Sequence, residues 1–251
     1  MLLVDVHAHL DLFDENERRQ LIARASSAGV KVVINNSVDP KSIRKALELA
    51  RQHEIIKAAI GLYPTEAARL SPAAIDGELD FIRSCRDRVV AIGEIGLDYR
   101  EGKSERDRQL QLVLFERQLQ LAKELGKVVI VHSRQAETDV VDTLIRLGCR
   151  KVILHAFHGS LKLVQKAVAA GFYITIPTNI RRSSHFQALA RALPLSGILT
   201  ETDTPFLAAE KGGKSEPAHV AKTIAEIAGI KGLTTGEVAN ILYLNFQHLF
   251  A

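Results

Sequence analysis

The chain has 251 residues, 47% of them hydrophobic and 25% charged, with a formal net charge of +4. These proportions are those of a soluble globular protein and exclude collagen, long coiled coil, mucin-like stalks and wholesale disorder. The length suits one or two domains, and α/β barrels of this size form one; the mild positive excess permits a phosphate-bearing partner without requiring it.

Short apolar, β-branched runs alternate with longer helical patterns along the chain. The runs are Leu2–Val6, Lys31–Ile34, Ile55–Ile60, Val89–Ile92, Val128–Val131, Lys151–Leu154, Phe172–Ile176 and Ile198–Thr200. Each is nearly unbroken in hydrophobicity, as parallel strands buried on both faces are. Between the runs lie helix signals. Pro40 suits a first turn, with Ile43, Leu47 and Ala50 as a stripe. Ala67–Asp80, with Pro72 and Gly77, is the weakest helical stretch. Ser104 and Asp107 have capping spacing, Leu112, Phe115, Leu119 and Ala122 mark one face, and Gly126 ends the helix. Thr234 and Glu237 repeat the capping pattern before a last helix reaching Phe250. Eight strands each followed by a helix predict a TIM-type (β/α)8 barrel with parallel strands and an extra C-terminal helix, a single domain over residues 1–251, with seven strands or an open doubly wound sheet as the alternatives. On such a barrel the loops Ile176–His185 and Thr202–Pro217 lie at the mouth where sites are built.

Two cysteines, Cys85 and Cys149, imply no disulfide framework and point to a reducing, cytoplasmic setting. The apolar start stops at Asp5, too short for a signal-peptide core. No apolar run approaches the roughly 20 residues that span a bilayer, so no membrane association is expected. Nothing in the sequence bears on assembly, and the default is a monomer.

The chemistry gathers at the ends of the apolar runs. His7 and His9 share one face of the first strand, because side chains alternate. Two imidazoles so placed can bind one divalent ion, with Asp5 behind them to orient a ring. Glu94, His132, His155 and Asp203 follow four other runs. Glu94 or Asp203 alone would read as a helix cap, and His155 alone as a hydrogen-bonded core histidine. Together, four imidazoles and two carboxylates exceed what one open catalytic zinc site takes. They suit two ions, with the two oxygens of Glu94 available as a bridge.

His7-Ala8-His9-Leu10-Asp11, Gly93-Glu94-Ile95-Gly96-Leu97-Asp98-Tyr99, His132-Ser133-Arg134, His155-Ala156-Phe157-His158-Gly159 and Glu201-Thr202-Asp203-Thr204-Pro205 occur in this order. This ordered set resembles the TatD family of metal-dependent hydrolases, within the amidohydrolase-like barrels, from Asp5 to Phe250. The resemblance implies a TIM-type barrel and divalent-metal-dependent nuclease action that trims DNA or RNA from the 3′ end. It implies two divalent ions (Mg, Mn or Zn), with His7, His9 and Asp203 on one, His132 and His155 on the other, and Glu94 bridging. Asp203 and Glu94 are then the catalytic residues, Asp203 accepting the proton of the attacking water. Arg134, Tyr63, His158 and Arg181 are expected as substrate contacts, with Arg182, Lys211 and Lys214 along the approach and Tyr63 and Phe206 as aromatics at the mouth. Asp98, Tyr99 and Glu201 read as supporting residues rather than ligands.

The chain departs from the family at Tyr63-Pro64, where His-Pro is frequent, at His155-Ala156-Phe157-His158-Gly159, where His-Cys-Phe-Ser-Gly is familiar, and at Lys214-Ser215-Glu216-Pro217, where Arg-Asn-Glu-Pro is usual. These changes spare the ligand set and bear on substrate choice. An acyl or amide substrate, such as D-aminoacyl-tRNA or a small molecule, would use the same chemistry. A non-enzymatic binding barrel is the remaining alternative, opposed by the intact ligand set.

Overall fold

The computed structural model describes residues 1–251. In chain order the elements are β1 (Leu3–Ala8), α1 (Glu15–Ser27), β2 (Val30–Asn36), α2 (Pro40–Gln52), β3 (Ile56–Ala59), α3 (Glu66–Arg69), α4 (Pro72–Ser84), β4 (Ala91–Asp98), α5 (Glu105–Leu125), β5 (Val128–Arg134), α6 (Glu137–Arg146), β6 (Val152–Leu154), α7 (Leu161–Ala169), β7 (Tyr173–Pro177), α8 (Ser184–Ala192), β8 (Ile198–Glu201), α9 (Val220–Lys231) and α10 (Thr235–Phe250). The strands form one eight-stranded parallel sheet in the order β1 to β8. The segment after β8 returns to β1: the Asp203 N–H donates to the His7 carbonyl and the His9 N–H to the Thr204 carbonyl, both at 2.8 Å. This is the TIM-type (β/α)8 fold, with α10 as the extra C-terminal helix. No helix is long and apolar enough to cross a membrane, and Cys85 and Cys149 are both free and buried.

The strands run further than their apolar cores suggest. β4 continues through Glu94 to Asp98 and β5 through His132 to Arg134, so these residues lie inside strands rather than after them. Reading a strand by hydrophobicity stops at its first polar residue, whereas the ladder of backbone hydrogen bonds does not. The weak stretch before Asp80 divides into α3 and α4, because Pro72 starts a new helix capped by Ser71. Residues 178–182, expected as loop, form a 3-10 turn.

Packing groups the chain into two units: Met1–Asn35, Leu49–Lys57 and Tyr173–Ala251 make one, and Asn36–Glu48 and Ala58–Phe172 the other. In the first, buried polar side chains hold the turn after β1. The Asn35 side chain accepts from the Leu10 N–H at 2.6 Å and donates to Asp11 at 3.0 Å. The buried Arg18 donates to the carbonyls of Leu10 and Phe13. Such carbonyl contacts satisfy a guanidinium that has left water. Asn245 of α10 donates to the carbonyls of Leu195 and Ile198 at 2.7 and 2.9 Å, tying the last helix to the start of β8.

In the second unit α5 does the equivalent work. It opens on the Ser104–Asp107 capping box and closes on Gly126 in the left-handed region. Its buried face is Gln111, Leu114, Phe115, Gln118, Leu119, Leu121 and Ala122; Leu112, expected there, is only half-buried. The two glutamines lie two helical turns apart on that face. Gln111 accepts from the Asp98 N–H at 2.8 Å and donates to the Asp98 carbonyl at 3.0 Å. Gln118 grips Leu62 the same way, at 2.8 and 2.9 Å. Each amide satisfies a backbone donor and acceptor that would otherwise be buried without partners, fixing the chain beside Tyr63 and at Asp98.

Candidate metal centre

In the first unit β1 and the segment after β8 present His7, His9 and Asp203. The Nε2 atoms of His7 and His9 lie 3.1 Å apart, and Asp203 Oδ1 is 3.6 Å from the first and 3.4 Å from the second. All three residues are buried. Two ring nitrogens facing each other and a carboxylate oxygen is the donor arrangement that a divalent ion completes. Asp203 has φ +52°, a left-handed conformation that costs a non-glycine residue roughly 1–3 kcal/mol. Its N–H bond to His7 and the bond its carbonyl accepts from the Phe206 N–H at 2.6 Å hold it there.

Asp5 plays a different part from the one expected. Its carboxylate accepts from the Thr202 N–H at 2.9 Å, the Thr202 hydroxyl at 2.5 Å and the His7 N–H at 3.3 Å. It therefore steadies the backbone under His7 and Asp203 rather than a histidine ring. Complete burial pushes its pKa up to about 8, against the hydrogen bonds from Thr202 and His7.

In the second unit Glu94, His132 and His155 offer ligand atoms that all lie within 4.8 Å of one another. His132 Nδ1 is 2.9 Å from Glu94 Oε1, and His155 Nε2 is 3.9 Å from the same oxygen. The opposite edge of the His132 ring meets other groups: Nε2 is 3.3 Å from Asp98 Oδ2 and 3.0 Å from the Tyr63 hydroxyl. Tyr63 donates to the same Asp98 oxygen at 2.7 Å. Burial opposes ionisation at Asp98, but the hydrogen bonds from His132 and Tyr63 prevail and bring its pKa down to about 2. Burial likewise opposes the His132 cation, and the carboxylates of Asp98 and Glu94 outweigh it, raising its pKa. Burial and the nearby Glu94 and Asp98 charges push the Tyr63 phenol up. Both sets thus combine imidazoles with carboxylates, a donor chemistry that fits divalent cations.

Arg134 is exposed at the end of β5. His158 is exposed, with Nδ1 2.7 Å from the Ala156 carbonyl. Arg181 is exposed and 3.6 Å from Glu226, Arg182 donates to the Ala208 carbonyl, and Lys214 is 3.5 Å from Glu17. Phe206 is 53% exposed and packs edge-on to the His9 ring at 6.0 Å. Ser215 is buried with its hydroxyl 3.1 Å from that of Thr178, so this departure from the family pattern serves loop structure. Sequence reasoning missed the tie between Tyr63, Asp98 and His132. It also set aside Glu201, which is fully buried and belongs to one of the His/Glu groupings able to hold an ion. Its place in Glu201-Thr202-Asp203, beside an expected ligand, was the available signal.

The family model described as TatD related DNase matches residues 4–251. The metal-dependent hydrolase YabD of Bacillus subtilis is 33% identical, covering 99% of this chain and 99% of its own. The human deoxyribonuclease TATDN3 is 32% identical over 99% of this chain and 94% of its own. The crystal structure of YjjV, a TatD homologue from Escherichia coli, superposes with a TM-score of 0.89 at 28% identity, covering 99% of this chain and 97% of that one. With its two sets of imidazoles and carboxylates and a match over nearly its full length, the chain belongs to the TatD family of metal-dependent hydrolases, enzymes acting on ester bonds.

Proposed function

We propose that this hydrolase is a two-metal phosphodiesterase that trims DNA or RNA from the 3′ end. The observation that carries the reading is the pair of buried donor sets, His7–His9–Asp203 and Glu94–His132–His155. In this reading His7, His9 and Asp203 would hold one divalent ion, Mg, Mn or Zn, and Glu94, His132 and His155 would hold another. When bound, such ions supply acidified water and positive charge opposite a scissile phosphate. The deoxyribonuclease name of the human relative supports a nucleic-acid substrate.

The chain's own groups then divide the work. Asp203 accepts the proton of the attacking water at its carboxylate. Arg134 pairs with a phosphate oxygen through its planar fork. His158 and Arg181 meet the substrate beyond the scissile bond, and the exposed ring of Phe206 offers a face for the terminal base. The net charge of only +4 suits a short footprint on a strand end rather than a long, salt-sensitive track. Two free, buried cysteines accord with a cytoplasmic setting, and a monomer suffices for the roles assigned.

The test uses 5′-labelled oligonucleotides, single- and double-stranded, DNA and RNA, with Mg²⁺, Mn²⁺ or Zn²⁺. The expected product is a ladder that shortens from the 3′ end and disappears in Glu94→Ala. No cleavage of any strand type with any of these metals would refute the reading. Release of free amino acid from D-aminoacyl-tRNA without phosphodiester cleavage would move the site to an acyl substrate.

A further inference from the structure

We propose that Tyr63 is a positioning residue: its hydroxyl, donated to Asp98, fixes the His132 ring so that Nδ1 is the nitrogen offered to a cation. The inference rests on the metal-binding role read for His132 above.

The hydrogen-bond geometry carries the argument. A phenol has one proton. The Tyr63 hydroxyl lies 2.7 Å from Asp98 Oδ2 and 3.0 Å from His132 Nε2. Asp98 acts as an acceptor at both oxygens, Oδ1 taking the Glu101 N–H at 3.0 Å, so the phenol proton goes to Oδ2. What the phenol then presents to His132 is an oxygen lone pair, and only a protonated Nε2 can meet it. The same Nε2–H is also directed at Asp98, 3.3 Å away. With hydrogen held on Nε2 by Tyr63 and Asp98, Nδ1 is the nitrogen that remains for a cation, on the edge of the ring 2.9 Å from Glu94. An outer carboxylate that fixes a ligand histidine is a common device. Here the carboxylate is itself oriented by a phenol.

The pair is held from behind. Gln118 clamps the backbone of Leu62, next to Tyr63, and Gln111 clamps that of Asp98. The Tyr63 N–H donates to the Val38 carbonyl at 2.8 Å. The Tyr63 and His132 ring centroids are 4.8 Å apart. A hydroxyl committed to Asp98 has no second proton to give a substrate, which separates this role from the substrate contact expected from the sequence.

The experiment uses the full chain, ¹⁵N-labelled, first metal-free and then titrated with Zn²⁺. Long-range ¹H–¹⁵N spectra report which ring nitrogen carries hydrogen, and His132→Gln identifies the His132 signals. The wild type is expected to show Nε2–H, with Nδ1 shifting as Zn²⁺ binds. Tyr63→Phe, which keeps the ring, is expected to show mixed tautomers and a Zn²⁺ affinity about 10–100-fold weaker at this set, with the His7 and His9 signals unmoved. If Tyr63→Phe melts far below the wild type, Asp98→Asn keeps the side-chain shape and is expected to give the same readout. Unchanged tautomer and Zn²⁺ affinity within twofold would overturn the inference, as would a variant altered only in KM for an oligonucleotide. A wild type with the His132 signature and the Tyr63→Phe loss that cleaves no oligonucleotide supports the inference and refutes the nuclease reading.

Discussion

Gly96 lies against the backbone of His132, one of the candidate ligands. It pairs with His132 across the β4–β5 ladder and has φ +142°. A Cβ added there would lie 2.0 Å from the His132 carbonyl oxygen and 2.9 Å from its carbonyl carbon. Neither contact is with the end of a flexible side chain, so relief requires the two strands to part. Gly96→Ala combines a backbone conformation that costs an alanine about 1–3 kcal/mol with an overlap worth about 1–3 kcal/mol, roughly 2–6 kcal/mol together. For a chain of this size each kcal/mol lowers Tm by about 2–4 °C, so a fall of about 4–24 °C is expected. The movement falls on His132, so Zn²⁺ affinity should drop at least tenfold as well. Gly126→Ala is the control. Its φ is +66°, nothing lies within 4 Å of an added Cβ, and it should cost about 1–2 kcal/mol with metal affinity intact. Scanning calorimetry and isothermal titration measure both quantities. A Gly96→Ala protein with wild-type Tm and wild-type Zn²⁺ affinity would show that the β4–β5 approach does not govern His132.

Asp203→Asn keeps the side-chain shape and removes the proposed proton acceptor, so kcat should fall about 10²–10⁴-fold in a steady-state assay with the melting curve nearly unchanged. His7→Ala and Glu94→Ala should abolish turnover while far-UV circular dichroism stays that of the wild type. Chelation should remove activity, and added Mg²⁺, Mn²⁺ or Zn²⁺ should restore it and raise Tm, since a ligand that binds only the folded chain stabilises it. The bond from Thr234 lowers the Glu237 carboxyl below its ordinary value of 4.5. The stability this cap contributes is therefore fully present above about pH 4.5 and is lost as pH falls through the lower folded value; Glu237→Gln should flatten that part of the stability–pH profile.

The ligand candidates were legible because each stands at or just beyond an apolar run, and because five short motifs recur in one order. The strand boundaries were less so. Glu94, Asp98 and His132 interrupt hydrophobic runs without interrupting the strands, since a strand that carries chemistry must carry polar side chains. Pairings between distant positions left no local trace. Gln111 and Gln118 look like surface residues of an amphipathic helix until the backbone they clamp, 13 and 56 positions away, is in place. Tyr63 reads as an exposed aromatic because nothing near it in sequence announces Asp98, 35 positions on, or His132, 69 positions on. Asp5 shows the reverse case: its parity with His7 was correct, but the acceptor capacity assigned to a ring is taken by Thr202 and the His7 amide.

Metal stoichiometry decides between two bound ions and one. Elemental analysis of the full chain after loading with Mn²⁺ or Zn²⁺ and gel filtration should give two ions per chain, and a His7→Ala/Asp203→Ala double variant should give one. A wild-type chain that retains a single ion or none would contradict the two-metal account.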